Sequence, residues 1–167
     1  SGVECLWAPW RLAYVTRAAA GNAEPCIFCT ALKADVPASL VLFRGETALV
    51  ILNKFPYNNG HLMVAPNRHI GTLAGATSSE LSDLIGLTRL AEMVLTEAYN
   101  PHGMNVGMNV GRPAGAGILD HLHMHLVPRW DGDTNFMAVV GETRVVPETA
   151  DQSVSRLKPI FERLAEA

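Results

Sequence analysis

Polar and apolar residues alternate strictly near the middle of the second half of the chain, in the run Asp-His-Leu-His-Met-His-Leu-Val. A period of two is typical of a β-strand, because successive side chains point to opposite faces of the sheet. The pattern therefore predicts a strand over residues 119–127. It would carry His121, His123 and His125 on one face and apolar residues on the other. Since the apolar face can be buried in a core, a rigid element would present the imidazoles.

Apolar runs elsewhere predict further strands. They cover residues 41–43, 47–53, 61–65 and 104–110, and the Arg-Gly-Glu between the first two is typical of a hairpin. Another short strand is predicted over 136–140. Strand-rich segments combined with one long helix predict an α+β fold with an antiparallel sheet.

The long helix is predicted over residues 78–99, because Thr77-Ser-Ser-Glu80 is a capping box. Asn100-Pro101 would end it, since the residue before a proline avoids the helical conformation. Residues 8–20 are expected to form a short helix or a packed arm, and residues 150–166 a C-terminal helix. The apolar face of the long helix is expected to contain Leu81, Leu84, Ile85, Leu90 and Val94.

Composition restricts the class of protein. The chain has 167 residues, of which 49% are hydrophobic and 17% charged, as expected of one compact domain. Its net charge of −3 provides no basic surface for bulk nucleic-acid binding. No apolar run approaches the ~18 residues of a membrane span, and no signal peptide is recognisable. We therefore expect a cytoplasmic protein that does not enter a membrane.

Three imidazoles on one strand face indicate chemistry, for which two explanations compete. Imidazole is a common metal ligand, and a neutral imidazole is also a nucleophile. Same-face residues of a strand lie ~6.6 Å apart, so the row would span about 13 Å. That length fits an extended anion, such as a polyphosphate, better than a single metal ion. A solvated strand face without a chemical role is the third possibility.

A glycine-rich segment, residues 105–117, lies directly before the histidines. Successive backbone N–H groups in such a loop can form a nest that binds an anion. We therefore expect a phosphate group between this loop and the strand, and Asn109 and the backbone at Gly115, Gly117 and Ile118 would stabilise its charge. The run Leu-Val-Pro-Arg after the histidines lacks the acid–histidine pair of many metallo-hydrolases, which disfavours a catalytic metal.

Two of the three cysteines form the Cys-x-x-Cys motif Cys26-Ile-Phe-Cys29. Three cysteines do not make a disulfide framework. The motif can be redox-active or can supply two zinc thiolates. A redox role would need a thioredoxin-like βαβ context, which the flanking sequence lacks. Zinc would need two more ligands, which histidines can supply, and two unpaired thiols are the remaining alternative.

The run from His121 to Val127 fits the motif of the histidine triad (HIT) family, in which histidines alternate with apolar residues. Leu52-Asn53 and the run from Gly60-His61 to Pro66 resemble earlier strands of that family. The resemblance covers residues 24–130. The segments 6–11, 56–61 and 128–136 are similar to a bacterial branch of diadenosine-tetraphosphate phosphorylases and hydrolases.

The resemblance implies one HIT-like domain over 1–167, with an N-terminal arm (1–23), a core (24–130) and a C-terminal extension (131–167). It also implies a two-fold dimer. We expect the helix over 78–99 and the strand over 104–110 to pair with their symmetry mates.

The resemblance also implies a role for each candidate residue. His123 would attack the α-phosphorus of a nucleotide and form a nucleotidyl-histidine, and His125 would bond phosphoryl oxygens or the leaving group. Asn53 would contact a ribose, although a turn-forming Asn is the alternative. His61 would support the site. Family members often carry Gln or Ser where Gly117 stands, so that side-chain contact is absent here.

Members with the Cys-x-x-Cys motif complete a structural zinc site with two histidines, which match His69 and His121. The implied zinc ligands are therefore Cys26, Cys29, His69 and His121. The expected substrate is an adenine nucleotide or dinucleoside polyphosphate, with water or inorganic phosphate as acceptor. Two other functions stay open: a nucleotide-binding regulatory module with slow phosphoramidate or nucleotide hydrolysis, and a metal-dependent hydrolase.

Overall fold

The computed structural model describes residues 25–33, 40–118, 120–134 and 146–167. Its strands are β1 (Val41–Arg44), β2 (Ala48–Leu52), β3 (Leu62–Pro66), β4 (Gly103–Gly107) and β5 (Met124–Arg129). They form one sheet in the spatial order β1-β2-β3-β5-β4, and every neighbouring pair is antiparallel. The predicted α+β fold with an antiparallel sheet is confirmed. The elements predicted over 8–20 and 136–140 lie outside the described residues.

Three helices accompany the sheet, namely α1 (Ile27–Ala31), α2 (Ser78–Tyr99) and α3 (Ala150–Ala165). Helix α2 has the predicted bounds, because the capping box is formed. The Thr77 hydroxyl accepts from the Glu80 N–H, and the Glu80 carboxylate accepts from the Thr77 N–H. The helix ends at Tyr99, because the following residue, Asn100, has a left-handed φ of 44°. Within the described ranges, no helix combines the length and the apolar character that spanning a membrane requires.

Helices α2 and α3 cover one face of the sheet, and most of the hydrophobic core lies between the helices and that face. Leu122 and Leu126, from the alternating histidine run, are buried in this core, and Met124 packs against it. Burying one leucine stabilises the fold by about 1.5–3 kcal/mol. The apolar half of the alternating run therefore anchors β5 against the helices. The other large side chains that are fully buried here are Leu62, Leu84, Leu95, Leu157 and Phe161.

Helix α1 packs on part of the opposite face of the sheet. Its buried residues Phe28 and Ala31 contact a second apolar cluster, which consists of Val41, Leu49, Ile51, Met63 and Ala65. Met63 of β3 pairs with His125 of β5, so His125 also belongs to this second face. The helices thus bury the apolar side of the histidine run, and the imidazoles lie on the side of α1.

The histidine strand is shorter than predicted. It begins only at Met124, where pairing with Val64 of β3 starts, because the Leu122 N–H donates to the Ile70 carbonyl instead of to a neighbouring strand. His121 and His123 therefore precede the strand, and of the three histidines only His125 is a strand residue. The strand predicted over 104–110 ends at Gly107, which pairs with His125, one residue into β5.

The buried face of α2 also differs from the prediction. Ile85 is 57% exposed, and Leu87, Ala91 and Leu95 are buried together with Leu84 and Val94. These five positions follow the three- and four-residue spacing of a single helical stripe. Ile85 is displaced from that stripe by one helical step and faces away from the sheet.

Candidate active site and metal-binding cluster

The imidazoles of His123 and His125 are neighbours at the start of β5, with ring centroids 4.7 Å apart and ring planes at 73°. His123 is almost completely buried, whereas His125 is half-buried and lines a surface depression. Leu122 and Leu126 are buried on the helix side of the sheet, so they anchor the backbone segment that carries both rings.

The tautomer of His123 follows from its hydrogen bond. Its Nδ1 lies 2.8 Å from the backbone carbonyl oxygen of His121, so Nδ1 carries the proton and donates it. Its Nε2 therefore carries a lone pair. Burial lowers the pKa of His123, and this keeps the imidazole neutral and nucleophilic at pH 7.

A chain of hydrogen bonds fixes the tautomer of His125 in the opposite sense. The Tyr57 N–H donates to Nδ1 of His61 at 3.0 Å, so a neutral His61 carries its proton on Nε2. That Nε2 lies 2.9 Å from Nδ1 of His125, which accepts the bond. His125 therefore carries its proton on Nε2. Burial, with a smaller contribution from His123, lowers its pKa to about 4, so it is neutral at pH 7.

The two neighbouring rings thus offer complementary groups, a lone pair on His123 and an N–H donor on His125. Neither ring is charged at pH 7. An electrophilic phosphorus at His123 would have a hydrogen-bond donor beside it for a phosphoryl or leaving-group oxygen. His61, a supporting residue in the sequence-based prediction, is the residue through which the backbone orients His125.

Asn53 follows β2 directly and forms a local turn. Its side-chain oxygen accepts from the Phe55 N–H at 2.8 Å, which is the turn alternative recognised in the sequence. Its Nδ2 lies 3.4 Å from Nε2 of His61 and 3.6 Å from the sulfur of Met63, so the amide adjoins the histidines. A contact with a ribose would have to use this Nδ2.

The glycine loop reaches the same region. Asn109 lines the depression beside His125 and donates to the Gly115 carbonyl at 3.4 Å. The Gly115 N–H closes the turn on the Arg112 carbonyl at 2.9 Å and is therefore already engaged. Gly117 and Ile118 follow this turn, and Ile118 packs on the apolar cluster below α1. Their N–H groups are the better candidates for a phosphate contact.

Cys26, Cys29, His69 and His121 form a compact cluster beside α1. Their ligand atoms all lie within 4.8 Å of one another. Nδ1 of His121 is 3.2 Å from the Cys26 sulfur and 3.2 Å from Nδ1 of His69, which in turn is 3.3 Å from the Cys29 sulfur. Zinc held at about 2.0–2.3 Å by four such atoms requires spacings of this size.

The surroundings of the cluster also suit a metal ion. Nε2 of His121 lies 2.8 Å from the Pro66 carbonyl oxygen and donates to it, which leaves Nδ1 as a lone pair facing the thiols. Both cysteines are free thiols. Burial raises the pKa of the Cys29 thiol, so a cation would be needed to hold its thiolate. The donor set of two sulfurs and two imidazole nitrogens is one that zinc prefers.

Phe28 connects this cluster with His123. It lies between the two cysteines in sequence and is completely buried. Its ring centroid is 4.9 Å from that of His121 and 5.1 Å from that of His123. Nδ1 of His123 also donates to the backbone carbonyl of His121. The cysteine–histidine cluster is therefore connected to His123 in two ways, through the Phe28 ring and through this hydrogen bond.

The depression beside His125 has a volume of about 280 Å³ and includes residues that the sequence analysis missed. They are Tyr57, Asn105 and Arg129. Arg129 could have been found from the strand period, because it lies two same-face positions beyond His125. A larger hollow of about 850 Å³ lies near Asn59 and the start of α3, but no histidine lines it, so the smaller depression is the candidate site.

Comparison with known proteins agrees with this architecture. The HIT domain model matches residues 34–132, which is more than half of the chain. The chain belongs to the HIT family. The family predicted from the histidine motif is therefore confirmed.

Relatives within the HIT family carry informative names. AP-4-A phosphorylase of Mycobacterium tuberculosis (strain CDC 1551 / Oshkosh) is 38% identical over 151 residues, which cover 86% of this chain and 76% of that protein. The asymmetrical bis(5'-nucleosyl)-tetraphosphatase of Schizosaccharomyces pombe is 32% identical over 95 residues, which cover 57% of this chain and 52% of that protein. A Zn-bound histidine triad family protein from Mycobacterium smegmatis has a TM-score of 0.68 at 26% identity, over 84% of this chain and 96% of that one.

Proposed function

We propose that the chain cleaves dinucleoside polyphosphates, such as diadenosine tetraphosphate, at the α-phosphate through a nucleotidyl-histidine intermediate. The observation that carries the proposal is the pairing of a lone pair on Nε2 of His123 with an N–H on Nε2 of His125. Two relatives named for activity on AP-4-A or on bis(5'-nucleosyl) tetraphosphates support the choice of substrate.

In the first half-reaction, Nε2 of His123 attacks the α-phosphorus of the bound substrate. A P–N bond forms, and the bond between the α-phosphorus and the bridging oxygen of the leaving nucleotide breaks with its electron pair on that oxygen. Nε2–H of His125 donates a hydrogen bond to the departing oxygen, which leaves as a phosphate oxyanion and needs no proton from the ring. The His121 carbonyl stabilises the imidazolium that forms on His123, because it holds the Nδ1 proton.

In the second half-reaction, water or inorganic phosphate attacks the same phosphorus. The P–N bond breaks and its electron pair returns to Nε2 of His123, while Nε2–H of His125 donates a hydrogen bond to an oxygen of the acceptor and any proton that the acceptor loses passes to solvent. The two displacements replace one difficult step by two easier ones. Asn109 and the N–H groups of Gly117 and Ile118 would stabilise charge on the phosphoryl oxygens, and Nδ2 of Asn53 would contact the ribose.

Cys26, Cys29, His69 and His121 would hold zinc. An ion with these four protein ligands has no open position for water or substrate, so its contribution would be structural. A Zn-bound HIT relative supports this assignment. We also propose a cytoplasmic location, because free thiols at Cys26 and Cys29 persist in a reducing compartment.

A two-fold dimer is also part of the proposal. Strand β4 is an edge of the sheet, and Val106 on it is 48% exposed. The outer side of α2 exposes Ile85 and Met93 at 57% and 40%. An unprotected edge next to exposed apolar side chains suits pairing with a second copy.

The proposal is tested by incubating the protein with diadenosine tetraphosphate, with and without inorganic phosphate, and separating the nucleotides. ATP plus ADP formed only with phosphate indicates phosphorolysis, and ATP plus AMP without phosphate indicates hydrolysis. His123→Asn should lower turnover by at least about 1,000-fold while nucleotide binding is retained. Rapid acid-free quenching should trap an adenylylated protein, which is stable in alkali and labile in acid.

His102→Asn is the matched control, because His102 is an exposed histidine that pairs with Asp131. It should keep normal turnover. Activity of more than about a tenth of the wild-type value in His123→Asn would exclude this nucleophile. If a chelator abolishes turnover of a protein that remains folded, and zinc restores it, the metal-dependent hydrolase is the better explanation. Binding without turnover would favour the regulatory module.

A further inference from the structure

The proposed reaction requires a cation beside His125. The leaving nucleotide of a dinucleoside polyphosphate carries several negative charges, and enzymes that transfer phosphoryl groups neutralise such charge with Arg, Lys or a metal ion. His123 is the nucleophile and His125 presents a single N–H donor, so the two imidazoles do not supply the several donors that a polyphosphate chain needs. A group of opposite charge must therefore come from another residue near the leaving group.

Arg129 occupies a suitable position. It lies at the end of β5, two same-face positions after His125, and both residues line the depression of about 280 Å³. Among the described residues that line this depression, Arg129 is the only one with a formal charge at pH 7. His125 and Arg129 are ~13 Å apart along the backbone, a distance that the arginine side chain and a polyphosphate chain together span.

The neighbouring strand leaves this side of the sheet open. Gly107 of β4 pairs with His125, and Gly103 pairs with Arg129. A Cβ at either glycine would meet nothing within 4 Å, so both positions border open space. Asn105, between them, contributes an amide to the same depression. The face between the imidazole and the guanidinium is therefore accessible to a ligand.

The guanidinium group is held in one orientation. Its Nε and Nη2 donate to the Asp133 carboxylate at 2.6 and 2.8 Å, and its Nη1 donates to Oδ1 of Asn105 at 2.9 Å. These contacts use three of the five N–H donors of an arginine, and the side chain remains 45% exposed. Asp133 also accepts from Asn58 at 2.9 Å, so the loop before His61 is tied to the same carboxylate.

We propose that Arg129, with Asn105, forms an anion subsite that binds the polyphosphate of the leaving nucleotide and afterwards the inorganic phosphate acceptor. This inference rests on the proposed function. The acceptor must attack the phosphorus in line with the P–N bond, which is the direction in which the leaving oxygen departed. One subsite therefore serves both half-reactions, and Arg129 favours phosphate over water as acceptor.

The test compares two substrates with different leaving groups. Diadenosine tetraphosphate releases a polyanion, whereas adenosine 5'-phosphoramidate releases ammonia. Arg129→Ala should lower kcat/KM for diadenosine tetraphosphate by about 100-fold, the usual effect of removing one charge-stabilising donor. It should change kcat/KM for the phosphoramidate by less than about threefold. Arg129→Lys keeps the charge without the planar fork and should give an intermediate loss.

Two further measurements use the same proteins. The Arg129→Ala variant should bind inorganic tripolyphosphate at least about tenfold more weakly by calorimetry, since one charged donor is lost. It should also form more AMP relative to ADP when phosphate is present. Arg163→Ala is the matched control, because Arg163 is also an exposed, ion-paired arginine, and its partner Glu97 lies on the helix side of the sheet. It should leave both substrates and tripolyphosphate binding unchanged.

An equal loss with both substrates would overturn the inference, because Arg129 would then only stabilise the end of β5. Unchanged tripolyphosphate binding in Arg129→Ala would overturn it as well. If the wild-type protein cleaves neither substrate, the proposed function fails, and tripolyphosphate binding alone then decides whether the anion subsite exists. If Arg129→Ala does not fold, as judged by its thermal melt, Arg129→Lys with the same three measurements decides the question.

Discussion

Replacing Phe28 by leucine tests whether the helix that carries the Cys-x-x-Cys motif positions His123. The aromatic ring packs on both His121 and His123, with centroids about 5 Å away, and it has no exposed surface. Leucine retains most of the apolar volume and should cost less than about 1.5 kcal/mol of stability. Alanine would leave a cavity and should cost about 3–5 kcal/mol.

The catalytic effect of Phe28→Leu should exceed its effect on stability. Without the Phe28 ring packed against it, the imidazole of His123 can rotate about its hydrogen bond to the His121 carbonyl. A displacement of about 1 Å at a reacting group can lower the rate by ~100-fold. We expect kcat for diadenosine tetraphosphate to fall by about 10–100-fold and KM to stay within about threefold. The melting temperature should fall by less than about 6 °C, from ~2–4 °C per kcal/mol in a chain of this size.

The assay combines steady-state kinetics with the ¹⁵N chemical shifts of the histidine rings, which report the tautomer of His123 directly. Ile27→Ala is the matched control, because Ile27 is on the same helix but is 42% exposed. Metal content is measured for all variants, so that an effect on the cluster is recognised. If Phe28→Leu keeps kcat within about twofold while Phe28→Ala loses activity only through unfolding, Phe28 has no role in positioning His123.

Three further predictions concern the metal, pH and assembly. Removing the metal with a chelator, or replacing Cys26 by serine, should lower the melting temperature by more than 10 °C, because structural zinc contributes roughly 10 kcal/mol to stability. An unchanged melting temperature would contradict the zinc site, as would the absence of zinc from protein purified without chelator. The pKa of His125 is near 4 in the fold and 6.5 in a model peptide, so the unfolded chain binds the extra proton between these values. Stability should therefore be complete above pH 6.5 and decrease by about 1–2 kcal/mol as pH falls towards 4, after discounting for solvent screening of the half-buried ring. Urea denaturation should reveal this loss, and His125→Asn should abolish its share. Val106→Glu on the edge strand should convert a dimer into a folded monomer by light scattering, and a monomeric wild type at micromolar concentration would exclude the dimer.

Helix α2 illustrates what could be predicted from local sequence. At its start, the side chains of Thr77 and Glu80 accept hydrogen bonds from each other's backbone N–H groups. Its end is set by Asn100, which has a left-handed conformation and precedes Pro101. All of these interactions join residues within one turn, so they depend little on the rest of the fold. The buried stripe was predicted less well, because Ile85 faces away from a sheet whose position the helix sequence does not contain.

The histidine segment was predicted correctly in its alternation and incorrectly in its extent. Leu122 and Leu126 are buried as the period of two requires. The left-handed conformation at Asp120 and the bond from His121 to the Pro66 carbonyl draw His121 towards the cysteines instead. The pairing of Cys26 and Cys29 with His69 and His121 was inferred from family resemblance, and the geometry brings these four residues together.

The sequence by itself determined the elements, the HIT motif and the residue types available for chemistry, because strand alternation and helix capping act between near neighbours in the chain. Only the tertiary structure decided which nitrogen of each histidine carries the proton, and how the guanidinium group of Arg129 is oriented. The tautomers depend on the Tyr57 N–H and the His121 carbonyl, and the orientation of Arg129 depends on Asn105 and Asp133. The registers of β3 and β4 against β5 place Met63 and Gly107 beside His125, and register follows from how the apolar faces of all the strands pack at once.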